Sequence, residues 1–286
     1  PEYSRSFFLK LIQQQSVQVN GLSVCKAGHR LRAGEEVHFF LPLSGSSELR
    51  PEPVLFDILF EDNDLILINK PPGLVVHPGS GHKNGTLAHG LLYLHHDLPG
   101  VEEGRAGLVH RLDKDTSGIL LAAKNESALR AMMAAFQDRS VEKVYYAILL
   151  RTPQTSSGRI DAPLGRHPVM RQKMAIRQQG GKYAVTKWHV QEHYANGWCL
   201  VKIGLETGRT HQIRVHMASQ NTPVAGDTLY GGTAPPGSGI TPFRQMLHAS
   251  SLSFTHPSTG ERLSWTAPLW PDMREVLEQL RALPEK

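Results

Sequence analysis

Cysteine is scarce in this 286-residue chain: there are two, Cys25 and Cys199. Two thiols cannot build a disulfide framework, and neither stands in a CxxC or Cys/His spacing suited to zinc. A reducing, cytoplasmic setting is the expectation. Long apolar runs are missing as well. None approaches the ~20 residues a membrane-spanning helix needs, so no membrane partner is expected. No secretory leader is expected from the opening residues. GxGxxG, the P-loop and GxSxG are all absent, which removes the usual support for nucleotide hydrolysis and serine hydrolase chemistry. No repeat of fixed period occurs.

What is present is ordinary for a globular protein: 40% apolar and 20% charged residues, with a formal net charge of +5. The charge is unevenly spread. Between Arg151 and Lys182 stand Arg151, Arg159, Arg166, Arg171, Lys173, Arg177 and Lys182 against one acid, Asp161. Such a segment is either a solvated face or a surface for a polyanion.

Taken in order, Ser4 and Ser6 can cap a helix over 7–15 with Phe8, Leu11 and Ile12 on one face. Val17 and Val19 alternate into Asn20-Gly21, a hairpin signal, and Leu31 and 37–41 close a small β unit. This helix-then-hairpin pattern, VxVNG followed by LxxGEEV, resembles the S4 RNA-binding module without its first helix. Residues 1–42 are therefore expected to form a partial S4-like domain. Its cations are Arg5, Lys10, Lys26, Arg30 and Arg32. The unpatterned, Ser/Pro-rich stretch 43–53 reads as a linker. A larger domain is expected over 54–286.

In that domain, strands are expected over 55–60 and 65–68, then a bend at Pro71-Pro72-Gly73. A helix is expected over 86–96. Its His89, His95 and His96 do not read as metal ligands, since no acidic or Cys partners stand at ligand spacing. Asn125 caps the clearest helix, 125–137, with Leu129, Met132, Met133 and Phe136 at i, i+3, i+4, i+7. Strands follow over 141–150, 182–194 and 198–206, the last pair joined by a hairpin at 195–197. Thr210 can cap a short helix from His211. Late strands over 247–254 and 262–265 precede a helix opened by Pro271, with Met273, Val276, Leu277 and Leu280 on one face. Helices interrupt strands rather than alternate with them. The expected fold is α+β with a mixed, largely antiparallel sheet.

One stretch stands out. Residues 108–118, LVHRLDKDTSG, read as strand, polar loop, strand, yet the loop holds four charges and two hydroxyls. Loops on a rigid scaffold are where binding and catalytic groups gather. A turn whose Asp and Thr bond their own backbone is the other reading.

HRLDKDTSG at 110–118 occurs with INKPPGLVVHPG at 68–79, EKVYYA at 142–147, TGRTHQIRVH at 207–216 and GDTLYGG at 226–232, in this order. The set resembles the RluA-type pseudouridine synthases, over about residues 54–282. The resemblance implies the pseudouridine synthase fold, isomerisation of uridine in structured RNA, and no cofactor or metal. It makes Asp113 the essential aspartate, with Asp115 the local rival. Arg209 matches the arginine that pairs with that carboxylate, holding it charged and oriented in a water-poor pocket. Tyr145 matches a tyrosine that packs on uracil and is a candidate base for the C5 proton. Arg111 and His110 would meet the RNA, Arg111 by entering the base stack. Thr116 and Ser117 would shape the loop, and Lys70, Arg166, Arg171 and Lys173 would meet phosphates.

VVHPGSG, APLGRHP followed by RQKMA, and the S4-like front resemble the D-type branch that acts on large-subunit (23S) ribosomal RNA. This implies the helix 69 stem-loop at the subunit interface as substrate, free or in an assembling large subunit, and a monomeric enzyme. The alternatives are a synthase of this family acting on other ribosomal or transfer RNA uridines, a non-catalytic RNA-binding protein, and a metal-dependent hydrolase drawing on the 15 histidines.

Overall fold

The computed structural model describes residues 5–24, 26, 28–40, 49–79, 81–102 and 104–284. Ser4, Cys25 and the 43–48 part of the expected linker lie outside them. The chain divides into two compact units, Pro1–Glu48 and Leu49–Lys286. Leu49, read from sequence as linker, is buried in the core of the larger unit.

The small unit holds α1 (Arg5–Gln13), β1 (Val17–Val19), β2 (Leu22–Ser23) and β3 (Val37–Phe39), in the sheet order β2-β1-β3. Asn20 and Gly21 both have positive φ, 49° and 79°. That conformation turns β1 into β2 with the twist a two-residue hairpin needs. Leu11, Val17, Val19 and Val24 are buried, whereas Leu31, expected to close this unit, is exposed. Lys26, Arg30 and Arg32 face solvent.

The larger unit begins with β4 (Asp57–Glu61), β5 (Leu65–Lys70), α2 (Leu87–Leu94), β6 (Ser117–Ala123), α3 (Glu126–Gln137) and β7 (Glu142–Leu149). There follow β8 (Ser157–Asp161), β9 (Leu164–Arg166), β10 (Met174–Ile176), β11 (Val185–His193), β12 (Cys199–Leu205), α4 (Gln212–Ser219), β13 (Leu247–Thr255), β14 (Arg262–Thr266) and α5 (Pro271–Arg281). Nine strands form one sheet in the order β4-β5-β6-β13-β7-β12-β11-β8, with β14 paired to β13. The β13–β6 pair is parallel and the remaining pairs of this sheet are antiparallel. The fold is thus α+β with a mixed, largely antiparallel sheet. β9 and β10 form a separate hairpin within the basic segment.

β5 and β6 are buried at every residue. Their continuous apolar runs suit strands covered on both faces. Asn125 caps α3 by accepting the Ala128 amide at 2.9 Å. α3 buries Leu129 and Met132, while Met133 is exposed. α5 packs Met273, Val276, Leu277 and Leu280 against Ile148, Trp198 and Leu200.

The sheet's middle positions the site. Ala249 on β13 pairs with Gly118 of β6 on one side and with Tyr145 of β7 on the other. One strand therefore separates the charged loop from Tyr145, a backbone spacing of about 10 Å at ~4.8 Å per strand. Gly118 has φ of +112°, and a Cβ there would lie 2.2 Å from the Ala249 carbonyl oxygen. Only glycine allows that approach. The lead-in Leu108–Val109, expected as a strand, makes only an isolated bridge from Leu108 to Ala122.

Candidate active site

Asp113 sits in the turn just before β6. The Thr116 amide donates to the Asp113 carbonyl at 3.1 Å, closing the turn. Two buried cations hold this loop by its backbone. Lys70, fully buried at the end of β5, donates to the carbonyls of Pro71 (2.6 Å), Leu74 (2.9 Å) and Lys114 (2.9 Å). Burial drives the Lys70 ammonium down to about 7, opposed by the charge of Asp115. Arg244 donates to the Asp115 carbonyl at 3.0 Å and to Ser117 Oγ at 3.2 Å, while its Nε and Nη2 pair with Asp272 at 2.6 and 2.8 Å. Ser117 Oγ also meets His248 Nδ1 at 3.0 Å. Thr116 is buried, with Gln245 Nε2 3.4 Å from its hydroxyl.

Across the cleft, α4 is set against β11 by one glutamine. Gln212 Nε2 donates to Val185 O (2.9 Å) and Thr186 Oγ1 (3.0 Å), and its Oε1 accepts from Thr207 Oγ1 (2.7 Å) and the Arg209 amide (3.0 Å). His216, one turn on, meets Thr186 Oγ1 at 2.8 Å and Ala162 O at 3.0 Å. With Gln212 and His216 (i, i+4) facing the sheet, Arg214 points away from it. Its Nη1 donates to Asp113 Oδ2 at 3.1 Å, and its Nε and Nη2 make a bidentate pair with Asp227 at 2.7 and 2.9 Å. Burial works against the Arg214 charge, but Asp227 and then Asp113 outweigh it and push its pKa up.

His211 precedes α4 in the left-handed region, φ 55°, and takes the cap position expected of Thr210, without a side-chain cap bond. A non-glycine residue there is strained, and such strain clusters at functional sites. Its Nε2 lies 3.9 Å from Asp113 Oδ2, and its Nδ1 is hydrogen-bonded to Tyr230 Oη at 2.7 Å. Tyr230 Oη also accepts the Met174 amide at 2.8 Å, and its ring lies 5.1 Å from the Arg214 guanidinium carbon. Tyr145, buried on β7, completes the cleft with Asp113, Arg111, Arg209, Thr116 and Leu247. Burial first, and the Asp113 charge second, push the Tyr145 phenol up. The side chain thus stays protonated near neutral pH, against the expected role of a base for the C5 proton.

The arrangement is a carboxylate on a rigid loop, oriented by a buried guanidinium, beside an aromatic ring in a cleft. It can hold a planar ring while the carboxylate attacks or takes a proton. The sequence profile described as RNA pseudouridylate synthase matches residues 64–219. This chain belongs to that family. It is 40% identical over 291 residues to the ribosomal large subunit pseudouridine synthase D of Escherichia coli (strain K12), covering 99% of this chain and 88% of the relative. To the uncharacterized RNA pseudouridine synthase YlyB of Bacillus subtilis (strain 168) it is 42% identical over 281 residues, covering 98% and 90%. Among solved structures it is similar to human RNA pseudouridylate synthase domain containing 1, with a TM-score of 0.60, 28% identity, and coverage of 81% of this chain and 97% of that one.

In this pseudouridine synthase, four residues singled out in the sequence line the cleft with Asp113: Arg111, Thr116, Tyr145 and Arg209. Three readings need correction. The arginine on Asp113 is Arg214. Arg209 stands before α4, and its Nε donates to the Tyr183 carbonyl at 3.1 Å. Lys70 does not reach RNA, because it is wholly buried on three carbonyls. His110 is half-buried beside the cleft with its ring nitrogen turned inward to the backbone. Its Nε2 accepts the Leu121 amide at 2.9 Å and its ring stacks on Phe136 at 4.6 Å. Burial, Lys143 and His77 hold its pKa to about 3, so it is neutral.

Arg166, Arg171 and Lys173 lie on the β9–β10 hairpin. Arg166 Nη1 donates to Arg171 O at 2.9 Å, and Lys173 Nζ lies 5.9 Å over the Tyr230 ring. Sequence reasoning missed Asp227, Tyr230, His211, Arg244 and Asp272. The GDTLYGG block was a usable signal, since a buried acid inside it requires a cation. His89 of α2 and His95 just after it are engaged elsewhere: His89 Nδ1 accepts from Thr86 at 2.7 Å, and His95 stands 3.4 Å from Glu61.

Proposed function

We propose that this protein isomerises specific uridines of large-subunit (23S) ribosomal RNA to pseudouridine, those of the helix 69 stem-loop in particular. The observation that carries the chemistry is the Asp113 carboxylate held by Arg214 at 3.1 Å beside the buried Tyr145 ring. The relatives named for the large ribosomal subunit, matched over nearly the whole chain, support the substrate class. The basic hairpin with Arg166, Arg171 and Lys173 supports an RNA surface.

The reaction breaks N1–C1′, turns the uracil and joins C5 to C1′. The C5 proton leaves and N1 gains one, so no electrons enter or depart. A stacked uridine must first be flipped out, at a cost of a few kcal/mol. Arg111, exposed at the cleft mouth, fits the space the base vacates. Asp113 then acts at the sugar, as a nucleophile or as a base at C2′. Arg214 keeps the carboxylate aimed through both chemical steps. Tyr145 packs on the freed ring, and its protonated hydroxyl offers a hydrogen bond while water or Asp113 carries off the C5 proton. The enzyme works as a monomer in the compartment where ribosomal RNA is made. Among the described residues no helix is long and apolar enough to cross a membrane.

Mapping pseudouridine by carbodiimide adducts and reverse transcription in ribosomal RNA from cells lacking the protein tests the substrate. Loss of the helix 69 adducts, restored by the wild-type chain, is expected. Loss at other ribosomal or transfer RNA sites alone would move the substrate elsewhere within the family.

A further inference from the structure

Beside the Asp113 cleft lies a second recess of about 410 Å³. The two share Arg111, Tyr145, Gly208 and Arg209 as a common wall. Its floor contains Lys143, two residues before Tyr145 on β7 and therefore on the same face of the strand. Lys143 is 8% exposed. Its ammonium donates to the Val141 carbonyl at 3.0 Å and lies 5.7 Å from the Phe136 ring centre. Among the described residues no carboxylate lies within ion-pair distance of it. The charged neighbour that acts on it most is another cation, Arg139. Burial and then Arg139 push its pKa down. A buried ammonium without a counter-charge is costly, and natural sites keep one for a ligand.

The rim is also cationic. Arg139 has a left-handed backbone, φ 62°, and stacks its guanidinium 4.9 Å over the Tyr183 ring. The Tyr183 carbonyl in turn accepts from Arg209. Tyr183 thus ties both arginines to one edge of the recess. The single acid lining the recess, Glu206, is already engaged by Lys187 at 2.8 Å and Arg159 at 3.9 Å. What the recess lacks is an anion.

The geometry points to a second nucleotide seat: Lys143, with Arg139 and Arg209 at the rim, binds a backbone phosphodiester of the RNA strand next to the flipped uridine. This rests on the RNA reading above. Its volume falls in the range of small-molecule sites, enough for a nucleotide rather than a bare ion. The seat fixes where the strand leaves the catalytic cleft, so it selects substrates by backbone path rather than by base identity.

The test uses synthetic stem-loop RNAs of the large subunit with a single methylphosphonate at each linkage within two nucleotides of the target uridine. Binding to the wild-type chain, Lys143→Met and Arg139→Gln is measured across salt concentrations. Lys143→Met removes the uncompensated charge at similar length, so it is expected to fold. Arg139→Gln, at the exposed rim, gives the same reading if it does not. On unmodified RNA each variant should bind about tenfold more weakly, with the salt slope reduced by about one. At one linkage the neutral RNA should lose about tenfold in affinity for the wild type and nothing further for Lys143→Met. If every linkage weakens wild type and variants by the same factor, the seat does not exist. Tritium release from C5-labelled uridine in the unmodified RNA runs in parallel. Release without linkage coupling overturns the seat alone. Coupling without release overturns the choice of substrate alone.

Discussion

Arg214 donates its Nη1 to Asp113 Oδ2 across 3.1 Å, although the two are separated by 101 positions in the chain. The same guanidinium grips the buried Asp227 with its other two nitrogens. One arginine thereby serves two carboxylates from two further motif blocks. Removing it strands both.

Arg214→Gln should therefore lose kcat by ~10²-fold or more, through misplacement of the carboxylate. It should also lose about 3–5 kcal/mol of stability, because a buried carboxylate is left uncompensated. Arg209→Gln should retain kcat and raise KM. Steady-state kinetics with urea unfolding of both variants separates these. Adding Asp227→Asn to Arg214→Gln should recover stability without activity.

Lys70→Met distinguishes a loop anchor from a phosphate contact. Three carbonyls lose their donor, at about 1–3 kcal/mol for each group left unsatisfied in the interior. The expected outcome is a large drop in unfolding free energy and slower turnover. The salt dependence of RNA binding should not change. A salt slope reduced by about one would mean that Lys70 reaches a phosphate after all.

Tyr145→Phe should leave the shape of the kcat–pH profile unchanged between pH 6 and 9. The phenol is pushed up by burial and by Asp113, so it does not ionise in that window. Tyr145→Ala should be worse than Tyr145→Phe, because the ring that packs on uracil is lost. An alkaline limb seen in the wild type and absent from Tyr145→Phe would return the tyrosine to the role of base.

His110 gives a pH dependence of stability. Its folded pKa is about 3 and its ordinary value 6.5. Between those values the unfolded chain binds more protons than the folded one, so stability rises with pH there. The contribution is complete above pH 6.5 and is lost as pH falls toward 3. Replacing the ring in His110→Phe should flatten unfolding free energy over pH 6.5 to 4, by up to a few kcal/mol relative to wild type. Chemical unfolding at several pH values reads it directly.

Much of the fold was legible because its strands are long and patterned. β11, β12 and β13 run to nine, seven and nine residues, and α3 and α5 carry capped or proline-opened apolar faces. The β9–β10 hairpin was not legible: its strands have three residues each and their burial is set by Tyr230 and α4, not by period. At the site, Asp113, Tyr145 and Arg111 were readable as motif residues. The choice of Arg209 over Arg214 rested on the resemblance, and the helix expected from His211 was not used to ask which arginine faces the cleft. The deciding fact is helical: α4 starts at Gln212, and Gln212 and His216 turn toward β11, which leaves Arg214 facing the cleft. Lys70 and His110 looked like RNA contacts because charge and ring nitrogens usually face water. Here both satisfy backbone groups inside the fold, a role no local pattern reveals.

The central claim is that Asp113 performs the isomerisation rather than binds RNA. Tritium release from C5-labelled uridine in large-subunit ribosomal RNA, measured with Asp113→Asn beside an RNA-binding assay, tests it most directly. The variant should bind the RNA with near wild-type affinity and release no tritium. Full release by Asp113→Asn would contradict it.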